Sequence, residues 1–88
     1  MYLLISLGTS ATNVDAVVQS KIAPEDSRQL ESGKWLISSA SATSKEVSDL
    51  LGISEAVTFF IVPVRGYFGR AKPDIWEWLA AKAAKTNA

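Results

Sequence analysis

The chain has 88 residues, 48% hydrophobic and 20% charged, with nine basic and nine acidic side chains and a formal net charge of zero. These figures fit one globular domain, exclude a disordered chain, and give no bulk charge to attract a polyanion. Cysteine and histidine are both absent, which excludes disulfides, thiol nucleophiles, Ser-His-Asp chemistry and histidine metal ligands.

Without those two residue types a zinc site has no good ligands, and any metal would be a hard cation on Asp or Glu oxygens. We therefore expect no cofactor, no metal and no catalytic residue. Met1 to Gly8 is apolar but lacks a basic leader and is too short for a signal peptide, so the expected location is cytoplasmic. No stretch is long enough to span a bilayer, and no membrane partner is expected.

Tyr2 to Leu7 is nearly all apolar and reads as a central strand stopped by Gly8. Thr9 to Asn13 is a polar turn, and Thr12 with Asp15 has the spacing of a capping box. Val14, Val17, Val18 and Ile22 then form one stripe of a short helix that ends before Pro24. Ser27 to Glu31 is a weak polar strand suited to an edge, Ser32-Gly33 a turn, and Lys34 to Ser38 a clear strand. Thr43 and Glu46 form a second capping box, Val47, Leu50 and Leu51 an apolar stripe, and Gly52 stands where a left-handed helix end belongs.

Val57 to Val64 is β-branched and aromatic at both alternating sets of positions, so we expect protein cover on both of its faces. Pro63 cannot donate to a ladder and marks an edge, a bulge or the strand's exit. Residues 65–72 read as a crossing segment. Residues 73–85 read as a last helix, with Pro73 in its first turn and Asp74 at the positive helix end. Its buried stripe is Ile75, Trp78 and Leu79; Lys82 and Lys85 suit the negative end.

The order βαββαβ, with a helix appended, predicts an α+β fold of ferredoxin-like plan: an antiparallel sheet with two helices on one face. Residues 1–88 form one such domain, with its core over about 1–64. In that plan the last strand is an edge, yet it is the most hydrophobic stretch in the chain. A long apolar edge needs cover. The last helix or a second subunit should therefore lie over Phe59, Phe60, Ile61 and Val62, with Trp76, which falls off the helix stripe, at that surface.

Several segments together resemble a known group: Tyr2–Ser6, Trp35–Ile37, Thr43–Leu51, Phe59–Val62 and Trp76-Glu77-Trp78-Leu79. In order and spacing they resemble small bacterial proteins of the SinR family, which are distinct from the sporulation repressor of similar name. That group is similar in turn to the small ferredoxin-like CRISPR-associated proteins of spacer adaptation. The resemblance implies a ferredoxin-like homodimer of bacterial or phage origin, related to nucleases. The CRISPR-associated relatives carry an aspartate just after the first strand, and a pair of these, one per subunit, can hold a divalent cation. Here those positions are Leu7 and Gly8, and the next carboxylate, Asp15, falls inside the first helix.

Two loops bear weighing. Gly8 to Asn13 could cradle a phosphate on backbone N–H groups, but it lacks both the Walker and the GxGxxG pattern and reads more simply as a strand-to-helix turn. Arg65, Tyr67, Phe68 and Arg70 combine cations and aromatics around two glycines, a set suited to single-stranded nucleic acid or a protein partner. The plainer reading is a crossover with solvated arginines. From Arg65 onward five basic residues stand against two acidic ones, so phosphate contact, where it occurs, belongs to this end. The reading that results is a non-catalytic, homodimeric, ferredoxin-like module that acts by binding a protein or nucleic acid. The alternative is a metal-dependent nuclease of the CRISPR-associated kind.

Overall fold

A computed structural model of the protein describes residues 1–66, 69–70 and 73–86, with 83–86 described by backbone alone. The fold is mixed α+β, with one four-stranded antiparallel sheet and three α-helices among the described residues. In chain order the elements are β1 (Tyr2–Ser6), α1 (Ala11–Lys21), a 3-10 turn at Pro24–Asp26, β2 (Ser27–Glu31), β3 (Lys34–Ile37), α2 (Ser44–Leu51), β4 (Phe59–Pro63) and α3 (Pro73–Thr86). The strands lie in the order β2-β3-β1-β4. The two apolar strands β1 and β3 are central, where both faces need apolar side chains.

Strand alternation divides the apolar residues between two cores. Tyr2 and Leu4 of β1 and Trp35 and Ile37 of β3 point to one face, where they meet Val14 and Val18 of α1 and Val47 and Leu51 of α2. Leu3 and Leu36 point to the other face, where Ile75 and Leu79 of α3 close a smaller cluster with Met1, Val64, Trp76 and Trp78. The helices thus divide two and one across the sheet. The smaller core explains why α3 also relies on polar ties: Arg28 pairs with Asp74, Lys82 Nζ lies 3.2 Å from Asp26 Oδ1, and Trp78 Nε1 donates to the Glu25 carbonyl at 3.3 Å.

Helix α2 matches its sequence signals. Thr43 Oγ1 accepts from the Glu46 N–H at 3.2 Å, Glu46 Oε2 accepts from the Ala42 N–H at 2.7 Å, and Gly52 ends the helix at φ +61°. Helix α1 does not follow its predicted box. It starts at Ala11 behind Ser10, whose side chain makes no cap bond, so Thr12 lies inside the helix and Asp15 is drawn elsewhere. Lys82 also departs from its expected role: it is 8% exposed and paired with Asp26, not spread over the helix end.

The Val57–Val64 stretch is corrected most. The strand proper is Phe59–Pro63, because the Val57 N–H closes a turn onto the Ser54 carbonyl. Its two faces are not both covered. Phe59 and Ile61 are half-buried against the α1/α2 core, and Val62 is half-buried on the opposite face, but Phe60 is 55% exposed. The cause is the seat of α3, whose Ile75 and Leu79 pack with Leu36 of β3 and leave the Phe60 end open. Trp78 is half-buried, and Lys82 takes the third place in the α3 stripe after Ile75 and Leu79.

Candidate functional site

Two places gather polar or exposed functional groups, and they differ in kind. The first is Asp15. One turn into α1, its carboxylate reaches the β2–β3 turn: Oδ1 accepts from the Gly33 N–H and from Trp35 Nε1, both at 2.7 Å, and Oδ2 accepts from Ser32 Oγ at 2.9 Å. Burial pushes the Asp15 carboxyl up, and the three bonds from Trp35, Gly33 and Ser32 outweigh it, so the group sits below its ordinary range. Gly33 must be glycine. Its φ is +79°, and a Cβ there would run into Ser6 Oγ and come within 2.8 Å of Ala11 Cβ. All three donors come from the β2–β3 hairpin, and the cluster clamps α1 to the sheet.

The loop after β1 is likewise committed. Ser10 is buried, and its Oγ accepts from the Thr58 N–H at 3.1 Å; Thr58 Oγ1 donates to the Leu7 carbonyl at 2.9 Å. These bonds fasten the entry of β4 to the exit of β1, so Gly8–Asn13 reads as a strand-to-helix turn. Leu7 and Gly8 stand at this exit, both exposed. Among the described residues no three His, Cys, Asp or Glu side chains come together.

The second place is β4 and its outer edge. Val64 donates to Met1 and Thr58 accepts from Leu7. Antiparallel alternation therefore points the backbone of Phe60 and Val62 toward β1 and that of Phe59, Ile61 and Pro63 away from it. Proline thus stands where the lost N–H would have faced outward. Among the described residues no further strand pairs with this edge.

The two edges of the sheet differ sharply. Edge strand β2 carries Arg28 and Glu31 and an irregular register between Gln29 and Glu31. Charge and a bulge are the usual protections against further pairing. Strand β4 has neither a charge nor a register shift, and its one protective residue is Pro63 at its end.

Of the remaining expected site residues, Arg65, Val62 and Trp76 line one pocket. Arg65 and Arg70 are exposed. Tyr67 and Phe68 lie outside the described residues. Trp76 is half-buried on α3 and faces, with Val62, a pocket of about 360 Å³ under that helix. The site residues that sequence reasoning missed are Asp15 and Ser10. A signal existed for the first: a buried tryptophan N–H wants an acceptor, and Asp15 is the sole carboxylate of α1.

No helix among the described residues is long and apolar enough to cross a membrane. Compared with protein-family models, with curated proteins and with solved structures, the chain matches none.

Proposed function

We propose that the protein is a ferredoxin-like, non-catalytic binding module, a homodimer as its resemblance to SinR-like proteins implies, and that it pairs with its second copy through β4. The observation that carries this reading is the contrast between the edges: β2 is charged and irregular, whereas β4 is uncharged with an exposed Phe60. The strand order, with the first and third strands central, supports the ferredoxin-like assignment.

A twofold axis beside Phe60 satisfies the free groups. Phe59 then faces Ile61 of the partner subunit, each donating and accepting, and Pro63 lies beyond the paired stretch. The two Phe60 rings oppose each other at a closely spaced position, with Cα atoms about 4.5 Å apart. Such an isologous contact closes on itself and removes both edges. The non-catalytic part of the reading is supported by the commitment of Asp15 to the hairpin and by Leu7 and Gly8 where the related nucleases carry aspartate.

Amide hydrogen exchange tests this reading residue by residue. The Phe60 and Val62 amides, bonded to β1, should be protected at every concentration. The Phe59 and Ile61 amides should become protected only as concentration rises. Fast exchange of Phe59 and Ile61 at millimolar protein would reject the pairing.

A further inference from the structure

Between α3 and the sheet lies a pocket of about 360 Å³. Leu3, Leu36 and Val62 of three adjacent strands form its floor, and Ile75, Trp76 and Leu79 of α3 form its wall. That volume is within the usual range of small-molecule sites, about 300–1,000 Å³, and the lining is correspondingly apolar. Leu30 also faces it. This leucine is the one apolar residue of the edge strand Ser27–Glu31, and it stands at the irregularity between Gln29 and Glu31, 37% exposed. Leu30 thus carries the apolar lining of the pocket out to the edge of the sheet.

Among the described residues that line the pocket, Arg65 is the charged one. The chain leaves β4 through Pro63 and Val64, and Val64 is pinned by its N–H bond to the Met1 carbonyl at 2.9 Å. Arg65 and Gly66 follow at the mouth. Arg65 is exposed and forms no ion pair among the described residues. The acidic side chain nearest in sequence on α3, Asp74, is taken by Arg28. An apolar chamber with one unneutralised guanidinium at its entrance matches a guest with an apolar body and one anionic end.

We propose that this pocket binds a medium-chain or aryl carboxylate, its hydrocarbon part against Leu3, Leu36, Ile75 and Trp76 and its carboxylate on Arg65. The pocket shares Val62 and Pro63 with β4, but the proposed pairing uses the outward backbone of Phe59 and Ile61, so loss of dimerisation in Phe60→Lys and loss of decanoate binding in Arg65→Ala are separate readouts.

Decanoate, kept below its micelle-forming concentration, and decanol are the probes. Titration is followed by tryptophan fluorescence and by amide chemical shifts of the full chain. Decanoate should bind saturably and shift the amides of Leu30, Leu36 and Ile75. In Arg65→Ala, whose side chain is exposed and whose loss leaves the cores intact, decanoate should bind about tenfold more weakly while decanol is unchanged. Leu30→Ser should weaken both probes. Absence of saturable binding, equal decanoate affinity in Arg65→Ala, or shifts confined to other faces of the sheet would each overturn the proposal.

Discussion

Asp15→Ala should damage the fold more than any other exchange of a carboxylate for alanine in this chain. The substitution removes the acceptor of two buried donors, the Gly33 N–H and Trp35 Nε1, and of the exposed Ser32 hydroxyl. A buried donor left without a partner costs about 1–3 kcal/mol. Ser32 recovers its bond from water, and some water will reach Gly33 through the space left by the carboxylate. The net expectation is about 2–4 kcal/mol, or a fall in Tm of roughly 10–25 °C for a domain of this size. Thermal and urea unfolding measure it.

A double-mutant cycle with Trp35→Phe isolates the indole bond, which should couple to Asp15 by about 1.5–3 kcal/mol, the range for bonds to charged groups. The pH dependence carries the same signature. Because the folded carboxyl titrates below its ordinary value of 3.8, its stabilisation is complete above that value and is lost as pH falls through the folded value. Wild type should therefore lose stability on acidification below pH 4 more steeply than Asp15→Asn. A loss under 1 kcal/mol in Asp15→Ala, or parallel acid profiles, would refute the clamp.

Two glycines with similar φ angles should respond differently to alanine. Gly52→Ala meets nothing within 4 Å and should cost only the left-handed backbone term, about 1–2 kcal/mol. Gly33→Ala adds a collision with Ser6 and Ala11 and should cost clearly more; equal losses in urea unfolding would contradict the packing described. Purified protein should leave RNA, single-stranded DNA and duplex DNA uncut in Mg²⁺ or Mn²⁺, because Asp15 is held by the hairpin. Cleavage that persists through repurification would contradict this.

Much of the architecture was legible because its signals are local. The α2 boundaries follow from Thr43, Glu46 and Gly52, all within nine residues of one another, and the hairpin from Ser32-Gly33 between two strand patterns. What was misread depends on contacts distant in sequence. Thr12 and Asp15 have capping spacing, but the donors that claim Asp15 lie 17 to 20 residues further on. Lys82 reads as a helix-end cation, and only the docking of α3 beside the Pro24–Asp26 turn makes it a buried partner of Asp26.

The Val57–Val64 stretch shows the limit most plainly. Its composition asks for cover on both faces, but composition cannot say where α3 will seat. That helix settles against Leu36, and Phe60 stays half in solvent. The candidate sites divide in the same way. The β4 edge could be anticipated from Pro63 and the apolar run. The apolar chamber depends on Leu3, Leu30, Leu36 and Ile75 meeting from four separate elements.

The most direct test of self-association through β4 is the solution mass of wild type and of Phe60→Lys, measured by light scattering at tens of micromolar. Phe60 is 55% exposed, so a lysine there should leave the folded monomer intact while placing like charges face to face across the proposed axis. Wild type should show twice the 9.5 kDa chain mass and Phe60→Lys the single-chain mass, with the same circular dichroism. A wild-type mass of 9.5 kDa throughout, or a Phe60→Lys dimer as tight as wild type, would contradict the pairing.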